Sequence, residues 1–268
     1  MTAALRYEWR RLWTIRSTYW LIGATLVAQG VFCFIAAANS PSIGSFFDAE
    51  EVVSAIVSLG ASYGVSPLFS AYIIGLIGVF SFGHEYRHGM IRATLTALPS
   101  RTAVFVAKAL TTAVLAALLA LACALIGLAA AALYIDTRGA LTSGAVWGVI
   151  VGLVLFTTLF GLCGMATAAL LRNQTGAVAV MLLFPSVIEA VVRLLLILVS
   201  RGGNDANMLA RFLPFDAGSQ MFARPAADVI ADVLGYDPFG AVGGGIVLTL
   251  FTCVLVAAAL ALFLQRDA

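Results

Sequence analysis

Long apolar runs separated by short charged segments dominate the chain. Six of them approach the roughly 20 residues needed to cross a bilayer at about 1.5 Å per residue. They are about Tyr19–Ala38, Pro67–Phe82, Val104–Ile135, Ala145–Leu171, Gly176–Val199 and Gly245–Leu264. The second is short unless it borrows Tyr63 to Ser66, and the third is long enough to begin outside the hydrocarbon. The pattern predicts an all-α integral membrane protein, one transmembrane domain over residues 1–268, with loops at 83–103 and 200–244.

Two further stretches have helical periodicity. Before the first run, Leu5, Trp9, Leu12 and Trp13 share one helical face while Arg6, Arg10 and Arg11 lie away from it. This predicts an N-terminal helix lying in the membrane interface, with tryptophan at headgroup depth. Within 200–244, Met208, Leu209, Phe212, Leu213, Phe215, Met221, Phe222, Val229, Ile230, Val233 and Leu234 recur at near-helical intervals, interrupted by Pro214, Pro225 and Pro238. Two short amphipathic helices resting on the spans are expected there.

Composition agrees with the pattern. The chain is 62% hydrophobic and 10% charged, against about 25% charged in soluble domains, and its mean hydropathy is +1.04. Cys33, Cys123, Cys163 and Cys253 each sit alone in an apolar run, a spacing that reads as small apolar fillers. The first run exceeds the usual signal-peptide core, so it reads as a retained anchor.

Charge sets the orientation. If the amino terminus is cytoplasmic, Arg6, Arg10, Arg11, Arg16, Arg87, Arg92, Arg101, Lys108, Arg172 and Arg266 fall inside, and only Arg138, Arg201, Arg211 and Arg224 fall outside. Asp48, Glu50, Glu51, Asp136, Asp205, Asp216, Asp228, Asp232 and Asp237 all fall outside. The lysine and arginine bias places both termini of a multi-pass protein in the cytoplasm.

The densest ionisable patch is His84-Glu85-Tyr86-Arg87-His88-Gly89-Met90-Ile91-Arg92. His84 and His88 at i and i+4, with Glu85 between them, match the zinc-hydrolase pattern H-E-x-x-H. These are the only histidines, so a third ligand would have to be a carboxylate. Asp216, in a segment faintly like the aspartate motif of intramembrane proteases, falls on the opposite side of the membrane, about 30 Å away. Gly89 directly after the motif also signals a helix end.

The same segment resembles the first cytoplasmic loop of type-2 ABC transporter permeases. The resemblance lies in Glu85-Tyr86-Arg87-His88-Gly89-Met90-Ile91-Arg92, followed by Leu98-Pro99-Ser100-Arg101 and Lys108. The opening residues Glu8, Arg10, Arg11, Arg16 and Trp20, and the closing Gln265-Arg266-Asp267, are similar to that family's two ends. Met90 stands where threonine is common. The resemblance implies a cell-membrane exporter subunit whose loop at 83–103, with Glu85 to Arg92, Pro99 and Arg101, carries a short coupling helix that docks on a separate ABC ATPase. It also implies a pathway formed with a second permease subunit, as a homo- or heterodimer, for a small-molecule or lipid-like substrate. The expected partners are thus the lipid bilayer, the ATPase and the second permease, with no nucleic acid. Lys108 is the only lysine and follows no glycine-rich run, so the chain carries no phosphate-binding loop of its own. It is expected to be no enzyme and to bind no cofactor, with ATP and Mg on the partner.

Glu189 and Arg193 stand at i and i+4 in the fifth run, about 20 and 26 Å from Gly176 along the helix. Burying such charges is costly. Two readings stand: an ion pair facing the bundle interior, or Glu189 lining a substrate route. Alternatives of other classes are an intramembrane zinc protease using His84, Glu85 and His88, and an ion-coupled carrier centred on Glu189.

Overall fold

The computed structural model describes residues 2–43, 48–60, 69–98, 100–200, 205–223 and 238–265. All secondary structure among them is helical. In chain order the helices are α1 (Thr2–Thr14), α2 (Arg16–Ile43), α3 (Ala49–Ser58), α4 (Phe69–Arg87), α5 (Ile91–Ala97), α6 (Arg101–Ala132), α7 (Arg138–Thr142), α8 (Gly144–Leu171) and α9 (Gln174–Leu183). A π-turn at Phe184–Ile188 joins α9 to α10 (Glu189–Ser200). A 3-10 helix (Asp205–Phe212), α11 (Pro214–Ser219) and α12 (Gly240–Gln265) complete the described chain.

Among the described residues, five helical segments are long and apolar enough to cross a membrane: Arg16–Ser40, Arg101–Ala132, Gly144–Leu171, Gln174–Ser200 and Gly240–Gln265. They correspond to five of the six predicted runs. Their outward faces carry large apolar side chains at helical spacing. On α6 these are Leu110, Val114, Leu118, Leu121 and Leu125, each at least 40% exposed. Such stripes are compatible with a multi-pass membrane protein, whose solvent is hydrocarbon. The remaining run falls in α4, whose apolar stretch from Phe69 to Gly83 extends only about 22 Å. Tyr63 to Ser66 lie outside the described residues.

The central helix is α8, which packs on α4, α6 and α12. Glycine brings α4 and α8 together: a Cβ on Gly78 would overlap the Gly161 carbonyl oxygen, and one on Gly164 the Gly75 carbonyl oxygen. Small residues let backbones approach where lipid offers no hydrophobic drive for association. Nearer the start of α8, Gly152 lies against the Met221 carbonyl after α11.

Local signals set several helix ends. Ser100, Ser143 and Asn173 cap α6, α8 and α9 by accepting the backbone N–H of Ala103, Ala145 and Gly176. The chain leaves α4 through Gly89, at φ 65°. There Met90 N–H donates to Glu85 O at 2.9 Å and Gly89 N–H to Tyr86 O at 3.3 Å, the paired closure that a left-handed glycine permits. Pro185 has no N–H to continue the helix, and the chain widens around it until Glu189 N–H reaches Phe184 O.

On α1, Ala4 and Glu8 are the buried residues, whereas Trp9 and Trp13 are 45% and 59% exposed. The face turned to the bundle is thus the one with Glu8 and Arg11, because those charges have partners inside. Of the 200–244 segment, the described portion is the 3-10 helix and α11. Val229, Ile230, Val233 and Leu234 lie outside the described residues.

Candidate functional site

The end of the bundle around the α4–α5 turn gathers most of the residues singled out in the sequence. Its anchor is a buried ion network. Lys108, two turns into α6, is fully buried, and its ammonium donates to Glu8 Oε1 at 2.8 Å, Glu85 Oε1 at 2.6 Å and Ser81 O at 3.1 Å. These three acceptors use all three of its N–H bonds. Arg11 approaches from α1, donating to Glu85 Oε1 at 2.6 Å and to Ser81 O at 2.8 Å, with Nε 3.3 Å from Glu8 Oε2. The Phe82 ring lies 5.1 Å from the ammonium.

Two acids and two bases therefore balance in a site closed to solvent, with α1, α4 and α6 each contributing. Desolvation makes such a cluster costly to assemble and more costly to break by halves, since the remaining partner is then buried with no counter-charge. Glu85 lies within the segment expected to dock, but its carboxylate points into the bundle and is 0% exposed. Sequence reading missed Glu8 and Lys108 as its partners. A lone lysine inside an otherwise apolar helix was the available signal.

Past Glu85 the chain comes to the surface. Arg87, His88, Gly89, Met90 and Arg92 are exposed, while Ile91 turns inward and is 7% exposed. Helix α5 is held by Ile91 and Thr94, and the Thr94 hydroxyl lies 3.4 Å from Tyr7 Oη of α1. Tyr86 is half-buried, stacked on Phe82 and beneath the Arg172 guanidinium, 6.0 Å away, at the α8–α9 junction. Arg101 Nη1 donates to Leu264 O near the end of α12 at 3.4 Å. Pro99 lies outside the described residues.

The two histidines are neighbours, with ring centroids 6.2 Å apart. His88 Nδ1 is engaged with His84 O at 2.9 Å, and His84 Nε2 lies 3.5 Å from the Ser17 hydroxyl. Burial holds the His84 imidazole, beyond the apolar stretch of α4, below its ordinary pKa, and the charges of Arg11, His88 and Arg87 add to that. The carboxylate that would serve the pair as general base is the one bound by Lys108 and Arg11. Asp216, the carboxylate considered as a third metal ligand, pairs with Arg193 at 2.7 Å.

Glu189 and Arg193 both reach α11. The Glu189 carboxylate, 2% exposed, accepts Phe215 N–H at 3.0 Å and Asp216 N–H at 2.8 Å. It thus caps the first turn of α11, where backbone donors have no partners within the helix. Arg193 takes the Asp216 side chain. The pair meets across a helix end supplied by the last loop, which neither sequence reading anticipated. Phe215 is wedged against Phe160 and Phe251 at 5.2 and 5.8 Å between ring centroids, so α11 is held by polar and aromatic contacts together.

Compared with known proteins, the chain matches no family model and no curated protein sequence.

Proposed function

We propose that this chain is the permease subunit of an ATP-driven ABC exporter. It lies in the cell membrane with both termini in the cytoplasm and crosses six times, with α4 as the short second span. α1 lies in the inner interface with its tryptophans toward lipid. Two permeases form the substrate pathway, and ATP and Mg are bound by separate ATPase chains that dock at the α4–α5 turn.

One observation carries the reading: an exposed turn and short helix, Arg87 to Ala97, are joined through Glu85 to a buried network shared by α1, α4 and α6. A push on that turn is a push on three helices at once. Packed helices respond to such displacement by moving as bodies rather than deforming, the behaviour expected of an element switching a pathway between two states. Exposed Met90 beside Arg87 and Arg92 gives the apolar anchor and charged rim that suit a groove on a soluble partner. The sequence resemblance to type-2 ABC permeases points the same way.

The test is a photoreactive amino acid at Met90 in the full chain, activated in intact cells. Cross-linking to an ABC ATPase, identified by its peptides, is expected, and the same probe at lipid-facing Leu118 should capture none. Cross-linking of Met90 to lipid alone would remove the docking role.

A further inference from the structure

Helix α1 carries charge on two opposite faces, and the bundle supplies partners to one of them. Glu8 and Arg11 turn inward to Lys108 and Glu85. At about 100° per residue, Arg6 and Arg10 each lie about 160° round the helix from Glu8, one on either side. They therefore face directly away from the network. Both are exposed, and no described carboxylate pairs with either.

Trp9 and Trp13, also exposed, form the neighbouring stripe of the same outward side. Their rings meet edge to face with centroids 6.1 Å apart. Trp13 in turn lies 6.0 Å from the Tyr19 ring of α2, whose hydroxyl donates to Trp13 O at 2.9 Å. Three aromatic rings thus form a ladder across the α1–α2 junction. Side chains of this type settle at the headgroup level, where one edge is apolar and the other wet. Arginines in the next stripe of the same helix then stand among the phosphates.

The surrounding charge is of one sign. Glu8 and Glu85 are the only carboxylates on α1, α4 and α5, and both are buried in the network. What these helices and the turn between them leave exposed is Arg6, Arg10, Arg87, His88 and Arg92. A surface so unbalanced is complementary to an anionic partner. At the α4–α5 turn the proposed partner is a protein. On α1 the aromatic ladder beside the cations fits a lipid surface instead.

We propose that the outward face of α1 binds headgroups of anionic glycerophospholipids, with Arg6 and Arg10 on the phosphates and Trp9 and Trp13 at the same depth. The inference rests on the placement of α1 at the membrane surface and requires nothing of the transport reading. Lipid and network then hold opposite faces of one helix.

The experiment uses the full chain with Trp20→Phe and Trp147→Phe, so that Trp9 and Trp13 alone report. It is reconstituted in vesicles of equal parts phosphatidylglycerol and phosphatidylcholine. Bromine is carried at one chain position, by the first lipid in one sample and by the second in another. Phosphatidylglycerol should be the stronger quencher of tryptophan fluorescence. Arg6→Gln and Arg10→Gln should each lower that preference about fivefold, the effect of one basic residue near an anionic surface. Both side chains are exposed and outside the network, so their loss leaves the packing of α1 in place. Arg87→Gln, off α1, should keep the wild-type preference. Equal quenching by the two lipids would overturn the proposal while leaving α1 at the membrane. So would a preference that survives in the Arg6→Gln/Arg10→Gln double variant, or one lost equally in Arg87→Gln. Absence of quenching by either lipid would overturn the placement of α1 itself, an outcome distinct from loss of lipid selection.

Discussion

Lys108 Nζ lies 2.6 Å from Glu85 Oε1, and neither side chain is exposed to solvent. The contact joins the last turn of α4 to the second turn of α6, just beneath the exposed α4–α5 turn. Because Arg11 shares the same carboxylate oxygen, α1 is tied to the contact as well.

Breaking this contact from one side should cost stability. Lys108→Met leaves Glu8 and Glu85 buried beside Arg11 alone, and a loss of about 3–5 kcal/mol is expected. Glu85→Gln combined with Lys108→Met removes one charge of each sign and leaves Glu8 with Arg11, so it should recover much of that loss. Thermal unfolding of the detergent-purified single and double variants checks both statements. A double variant no better than Lys108→Met would show that the cluster does not act as a balanced unit.

Exposed neighbours of Glu85 should behave differently. Arg87 and Met90 are exposed and outside the network, so Arg87→Ala and Met90→Ala should change unfolding by no more than about 0.5 kcal/mol. On the proposed docking role, both should nevertheless weaken association with the ATPase proposed as partner. Parallel measurement of melting temperature and ATPase co-purification separates a folding role from a docking role, which Glu85 substitutions alone cannot do.

Glu189→Gln keeps the shape but leaves one neutral oxygen for two backbone donors. Loss of a charge-assisted cap in a buried site is expected to cost about 1.5–3 kcal/mol. Asp216→Asn should cost less, at most about 1 kcal/mol, since the Arg193–Asp216 pair is partly exposed. Unfolding of the two variants under one condition checks the order. An Asp216→Asn loss larger than that of Glu189→Gln would reverse the assignment of the main support for α11.

The α4–α8 contact should be intolerant of a single methyl group. A Cβ on Gly78 would overlap the Gly161 carbonyl oxygen, and backbone cannot rotate aside as a side chain can. Gly78→Ala and Gly164→Ala should each destabilise by at least about 1–3 kcal/mol. Gly23→Ala, where a Cβ would meet nothing within 4 Å, is the control. Expression and unfolding of the three variants decide the matter.

Tryptophan depth tests the placement of α1. Trp9, Trp13 and Trp20 are 45%, 59% and 79% exposed, and Trp9 and Trp13 form an edge-to-face pair with centroids 6.1 Å apart. With Trp147→Phe as background, brominated lipids labelled near the headgroup should quench fluorescence more than those labelled at the chain ends. Strong quenching only from chain-end labels would place α1 within the hydrocarbon.

Hydropathy and period are properties of neighbouring residues, which is why the apolar runs located five long helices to within a few residues at most ends. Gly89 marked the end of α4 for the same local reason. The partners of the charges were not legible in that way. Glu8 and Lys108 are 100 residues apart and meet only because α1 and α6 pack in one particular register. Nor was it legible that Glu8 and Arg11 would turn inward on α1, because their counter-charges are held by the bundle. Glu189 and Arg193 sat one helical turn apart in the sequence, yet α11 separates their roles by bringing backbone donors to one and a carboxylate to the other. The chain alone determined that it would form apolar helices. Which buried charges neutralise which, and which glycines touch, depended on the packing of distant segments, because a charge in a medium of low dielectric takes the partner that the whole fold delivers to it.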